Sequence, residues 1–176
     1  MRSIKHFDNT GTARFVTFSC HYNYNLFKTK IVKDIFIKQL IVSHKKHNFK
    51  FYGYVIMPNH VHLVLLPLDG LKLSNIIREL KSLSAREIIS YWKTLNLQIF
   101  DRLKVIRGGQ EMFAFWQRKY YDHNCRTKET TIEKINYCHN NPVVKGLVTK
   151  PEDWEWSSYR WYHGLENILI EMDPLE

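Results

Sequence analysis

The chain has 176 residues, 44% of them hydrophobic and 14% aromatic, too rich in core formers for a disordered chain, while its apolar runs are too short and interrupted to span a bilayer. Lys and Arg outnumber Asp and Glu by 26 to 17, a net charge of +9. That balance favours a polyanionic partner, with nucleic acid preferred to an anionic membrane surface.

One domain over residues 1–176 is expected, because no Pro/Ser/Gly-rich linker divides the chain. Met1-Arg2-Ser3-Ile4-Lys5-His6 lacks the apolar core and cleavage pattern of a secretory signal, so a cytoplasmic location and no membrane partner are expected. Cys20, Cys125 and Cys138 are odd in number and widely spaced, which suggests buried free thiols rather than a disulfide framework or a cysteine zinc site.

Arg14 to Cys20 alternates in the β manner after a Gly11-Thr12 turn, with Phe15, Thr17 and Ser19 on one face and Val16, Phe18 and Cys20 on the other. From Lys30 to about Lys46 the apolar residues Ile31, Val32, Ile35, Phe36 and Leu40 recur at helical spacing behind Thr29, a good N-cap. Phe49 to Ile56 predicts a second strand, joined through Pro58-Asn59 to a third that begins at His60. Ser74 is placed as the cap of a long helix that buries Ile76, Ile77, Leu80, Leu83 and Ile88 and turns Arg78, Glu79, Lys81 and Arg86 outward. Between Asn96 and Glu111 the basic, glycine-broken sequence reads as a loop, and a fourth strand is expected near Lys119 to Cys125. Thr130-Thr131-Ile132-Glu133 has the form of a capping box, and Pro142 is expected to end that last helix near Asn141.

The order strand, helix, strand, strand, helix, strand predicts an α+β, ferredoxin-like split βαβ domain. Four antiparallel strands bury one face under two helices, and a C-terminal helix follows. In that topology the first and third strands are the central pair.

The third strand carries two imidazoles inside an apolar run, Met57-Pro58-Asn59-His60-Val61-His62-Leu63-Val64-Leu65-Leu66. Strand alternation turns His60 and His62 to one face, their Cβ atoms roughly 7 Å apart, close enough to converge on one metal ion. Val61, Leu63 and Leu65 fill the other face. In the last helix, at ~100° per residue, Ile132, Ile135, Cys138 and His139 gather on one side, and Tyr137 and Asn141 fall roughly 40° apart on the other. A carboxamide oxygen is a suitable third ligand for a hard cation beside imidazoles.

Together, Met57-Pro58-Asn59-His60-Val61-His62-Leu63, Trp116-Gln117-Arg118 and the run Tyr137 to Val148 resemble the single-tyrosine HUH transposases, and most closely their REP-associated tyrosine branch. Trp154-Glu155-Trp156-Ser157-Ser158-Tyr159 resembles that branch's tail, so that a core of about 14–148 and a tail of 149–176 are expected. The resemblance implies cleavage and rejoining of single-stranded DNA through a 5′-phosphotyrosine, on a hairpin with flanking single strand. It maps the metal ligands onto His60 and His62, the nucleophile onto Tyr137 and the third ligand onto Asn141, where the wider family often has Gln. Mg2+ or Mn2+ would serve as the metal; monomer and homodimer both stay open.

Aromatic platforms and basic grooves hold single strands. Arg78, Lys81, Arg86, Trp116, Arg118, Lys119, Tyr120 and Tyr121 are the candidates for contact with DNA. The rival reading is a non-catalytic single-stranded DNA- or RNA-binding module on the same sheet. It explains the charge but leaves the histidine pair and Tyr137 without a task.

Overall fold

A computed structural model describes residues 11–95 and 97–175; the amino-terminal segment read for a signal sequence lies outside them. In chain order the elements are β1 (Ala13–Ser19), α1 (Lys30–Lys46), β2 (Phe49–Ile56), β3 (His60–Pro67), α2 (Leu73–Thr94), α3 (Phe100–Leu103), β4 (Lys104–Arg107), β5 (Gln110–Phe113), β6 (Tyr121–Cys125), α4 (Lys128–Val144) and α5 (Tyr159–Tyr162). Short 310 turns occupy His21–Asn23 and Pro151–Asp153.

Four strands form one antiparallel sheet in the order β2-β3-β1-β6. The ferredoxin-like expectation holds, with β1 and β3 at the centre. Side-chain alternation divides the sheet into two faces. Val16, Phe18, Val61, Leu63 and Leu65 are buried with Phe36 and Leu40 of α1 and Ile76, Leu80 and Ile88 of α2. On the other face Phe15, Val55 and Val64 pack with Ile135 and Cys138 of α4 and with Trp154 from the tail. The molecule is therefore layered, with α1 and α2 on one side of the sheet and α4 on the other.

The outer edge of β2 is not bare. Val55 bridges Ser157, Ile56 N–H donates to Trp156 O at 2.9 Å, and Asp173 N–H donates to Phe51 O at 2.8 Å. The tail satisfies backbone groups that an edge strand would otherwise offer to another chain. Among the described residues no helix is long and apolar enough to cross a membrane, and all three cysteines are buried free thiols.

Several local expectations are corrected. The N-cap of α2 is Lys72, not Ser74, so the helix begins with a residue that offers no capping oxygen and depends on packing of Leu73 and Ile76. The segment expected as a loop before Glu111 contains α3 and a two-stranded ribbon, β4 with β5, closed by Gly108-Gly109 at φ 56° and 77°. Two glycines free to take left-handed backbone allow this tight reversal.

Thr127, not the Thr130 capping box, caps α4; its Oγ1 accepts from Thr130 N–H at 3.2 Å. Nor does Pro142 end the helix. The chain continues to Val144 and closes with Gly146 N–H donating to Val143 O at 2.9 Å and Leu147 N–H to Pro142 O at 2.9 Å. Gly146, at φ 67°, supplies the left-handed residue this ending requires. Ile132 is 41% exposed, so it leaves the apolar stripe.

Candidate active site

His60 and His62 open β3 and face α4. Their Nε2 atoms are 3.0 Å apart. Each Nδ1 is engaged elsewhere: that of His60 lies 2.6 Å from Asn59 Oδ1, and that of His62 lies 2.7 Å from Thr17 Oγ1 on β1. The register that pairs Thr17 with His62 sets the second contact. A carboxamide oxygen only accepts, so His60 carries its proton on Nδ1 and leaves Nε2 with a free lone pair.

Asn141 approaches from α4, its Nδ2 3.0 Å from His62 Nε2. It is 4% exposed and His62 5%. Asn141 Oδ1 is buried and has no hydrogen-bond partner among the described residues. Rotating the amide by half a turn exchanges its nearly isosteric oxygen and nitrogen and turns the oxygen toward His62. Two imidazole lone pairs and an amide oxygen then face one point, a donor set that fits a divalent cation. Among the described residues no group of three His, Cys, Asp or Glu side chains is suited to a metal; the third donor here is an amide.

Burial pushes the His60 pKa down to about 4, helped by the charge of Lys145. Burial, with His60 alongside, takes His62 down to about 3. Both rings are thus neutral near pH 7, the protonation state a ligand requires.

Tyr137 lies one helical turn before Asn141 and is 49% exposed. Its ring meets His62 edge-on, with centroids 5.3 Å apart, and meets Phe15 at 5.6 Å. Phe15 in turn stacks on His62 at 5.1 Å and 17°. The tyrosine is therefore held beside the histidine pair and still open to solvent.

Six of the eight residues expected to contact DNA, Arg78, Lys81, Arg86, Trp116, Arg118 and Tyr120, line one cleft of about 640 Å3 between α2 and the β4–β5 ribbon. Their parts in it differ. Trp116 is 6% exposed, packs against Phe18, Phe27, Phe36 and Phe115, and donates from Nε1 to Ser84 Oγ at 3.2 Å. With its ring committed to the core, it serves as floor rather than stacking platform. Lys81 Nζ donates to the backbone oxygens of Gln117 at 2.7 Å and Arg118 at 3.1 Å, and burial lowers its pKa to about 8. Tyr121 lies elsewhere, paired with Thr17 on the histidine face of the sheet and exposed. Lys119 is exposed and is not among the residues lining the cleft.

A family model described as "Transposase IS200 like" matches residues 12–141, a span containing both histidines, Tyr137 and Asn141. The chain belongs to the IS200-like transposase family. Among curated relatives, a putative REP-associated tyrosine transposase of Haemophilus influenzae is 26% identical over 75% of this chain and 73% of its own length. A REP-associated tyrosine transposase of Escherichia coli is 20% identical over 70% of this chain and 62% of its own. A solved REP-associated tyrosine transposase bound to a REP hairpin is similar in fold at TM-score 0.70 and 20% identity, covering 100% of this chain and 94% of that one. The resemblance drawn from the motifs is borne out.

Four residues around this candidate site were not singled out by the sequence: Thr17, Asn59, Phe15 and Lys145. Asn59 adjoins the histidine motif and Lys145 lies one turn beyond Asn141, signals that were present in the sequence. Thr17 and Phe15 were assigned a face of β1, but only the register with β3 brings that face to His62.

Proposed function

We propose that the chain is a metal-dependent single-stranded DNA endonuclease and strand transferase that works through Tyr137. The observation that carries this reading is the meeting of His60, His62 and Asn141, with Tyr137 one turn from the amide and edge-on to His62. The two imidazoles and the Asn141 oxygen would hold Mg2+ or Mn2+, which supplies Lewis-acid polarisation of a phosphodiester.

Tyr137 Oη attacks phosphorus, the P–O3′ bond breaks, and its electron pair leaves with the 3′-oxygen. The phenolic proton is lost to solvent and the 3′-oxygen takes one up. The products are a 5′-phosphotyrosine and a free 3′-hydroxyl, the polarity implied by the family resemblance. Phenoxide is a competent leaving group, so a different 3′-hydroxyl can reverse the step and rejoin strands without hydrolysis. Lys145, whose charge reaches His60, adds a cation to this end of the site. Arg78, Arg86 and Arg118 line the cleft that takes a flanking strand, with Tyr120 as a further wall.

Hairpin DNA is the substrate class we favour, supported by the likeness to a relative solved with a REP hairpin. Core and tail act as one unit in this reading, since Ile170 and Met172 of the tail pack into the α1–α2 core. The test is incubation of the protein with a set of single-stranded hairpin oligonucleotides and Mn2+, followed by denaturing electrophoresis. A covalent protein–DNA band is expected from the parent and none from Tyr137→Phe, which deletes only the oxygen. A band that persists in the variant, or an adduct located by mass spectrometry on Tyr120 or Tyr121, overturns the assignment. DNA binding without any band from the parent favours the non-catalytic module.

A further inference from the structure

The turn after β1 is strained where nothing in the core requires it. Tyr22 has φ 48° and ψ 24°, and Asn23 follows at φ 57°. Left-handed backbone is tolerated by Asn but unfavourable for a bulky ring, and such outliers persist only when the surroundings over-determine them. Here they do. His21 N–H donates to Phe115 O at 2.8 Å, Tyr24 N–H to His21 O at 3.0 Å, and Cys20 N–H to Asn59 O at 2.8 Å. Gln117 Nε2 donates to Asn23 Oδ1 at 3.0 Å, and Asn59 Nδ2 donates to Asn23 O at 3.4 Å.

The result is a tyrosine ring that is 71% exposed, backed by His21 at 4.3 Å and Tyr24 at 5.9 Å between ring centroids. Burial cannot account for it. Its position can: Asn59, which holds the turn from one side, also holds His60 Nδ1, and Gln117, which holds it from the other, lines the cleft with Arg118. The turn stands between the histidine pair and the cationic cleft. Arg107 of the cleft also reaches it, since its charge adds to burial in lowering the His21 pKa.

We infer that Tyr22 is a base-stacking residue that carries a nucleobase of single-stranded DNA between the histidine–tyrosine centre and the arginine-lined cleft. An exposed aromatic ring on the turn that joins the histidine pair to an arginine-lined cleft matches the two halves of a nucleotide, the base by stacking and the phosphate by charge. Stacking is tolerant of sequence, so the contact sets the path of the strand rather than its sequence. The inference rests on the proposed DNA substrate, and the experiment separates the two.

Binding of a fluorescein-labelled twelve-nucleotide oligothymidylate, and of a blunt twelve-base-pair duplex, is measured by polarisation for the parent, Tyr22→Gly and Tyr22→Trp. Glycine suits the left-handed backbone, so Tyr22→Gly removes the ring while keeping the turn, which thermal unfolding verifies. Tyr22→Gly is expected to bind the oligothymidylate roughly 5- to 150-fold more weakly. Tyr22→Trp should bind within about threefold of the parent, and duplex affinity should not move. If Tyr22→Gly binds oligothymidylate as the parent does, or loses oligothymidylate and duplex equally, the stacking role is wrong. If the parent binds neither DNA yet binds a hairpin with a single-stranded tail, the stacking role is wrong and the proposed function stands; if it binds none of the three, the proposed function fails and this inference with it.

Discussion

Thr17 holds His62 from the far side of its ring. Its hydroxyl, 2.7 Å from Nδ1, fixes the ring so that Nε2 faces His60 and Asn141. Outer contacts of this kind are typically worth 10- to 100-fold in metal affinity. Thr17→Val preserves shape and removes the oxygen, so Mn2+ measured by calorimetry is expected to bind about 10- to 100-fold more weakly, with about 1–3 kcal/mol of stability lost to the unpaired His62 Nδ1. Replacing both His60 and His62 by Ala should abolish the site. Undiminished Mn2+ binding in the double variant would put the metal elsewhere.

At the scale of elements, the position of α4 decides whether Tyr137 and Asn141 meet the histidines. Its seat on the sheet depends on an irregularity in β2: pairing with β3 shifts between Phe51 and Gly53, which turns both Tyr52 and Gly53 toward α4. A Cβ at Gly53 would lie 3.2 Å from Ile135 Cγ1 and 3.4 Å from Ser158 Oγ. Ile135 is buried under the sheet, so a methyl at Gly53 presses on a packed side chain of the helix. Gly53→Ala should therefore cost about 1–3 kcal/mol of stability. Because the helix carries both site residues, it should also lower the yield of covalent adduct. A variant with normal adduct yield and normal unfolding would show that α4 accommodates the methyl.

Two properties belong to the whole molecule. The first is charge: a net +9 with Arg78, Arg86, Arg107 and Arg118 lining one cleft predicts single-strand binding that weakens with salt. If those four guanidiniums neutralise four phosphates, the slope of log affinity against log salt is about −3. A slope near zero, or equal preference for duplex, would contradict threading through the cleft.

The second is acid sensitivity. His139 is buried between α4 and the tail, with Ser158 Oγ 2.9 Å from its Nε2 and the rings of Tyr159, Tyr162 and His163 around it. Burial, with His163 nearby, lowers its pKa to about 4 from 6.5. The unfolded chain binds this proton first, so the stabilisation is complete above about pH 6.5 and is lost as pH falls toward 4, for roughly 3 kcal/mol at the limit. Urea midpoints at pH 7 and pH 5 should differ more in the parent than in His139→Gln. Equal differences would remove His139 from the acid transition.

What the sequence determined by itself was local and periodic. Alternation in β1 and β3, the Thr29 cap and the pairing of His60 with His62 on one face all follow from geometry within a single element. The motifs around His60 and Tyr137 carried the family. Tertiary structure decided what depends on register and competition between elements. Pro142 is tolerated in the last turn of α4 because packing of the helix on the sheet outweighs the N–H that proline lacks and its preference for the residue before it. The ribbon of β4 and β5 escaped because its strands are only four residues long, too short for a period to show. Trp116 reads as exposed beside Arg118 and Lys119, yet its bridge to Cys20 turns it into the core. The strain at Tyr22 is invisible in the sequence, because contacts from residues far along the chain, Asn59, Phe115 and Gln117, force that backbone conformation.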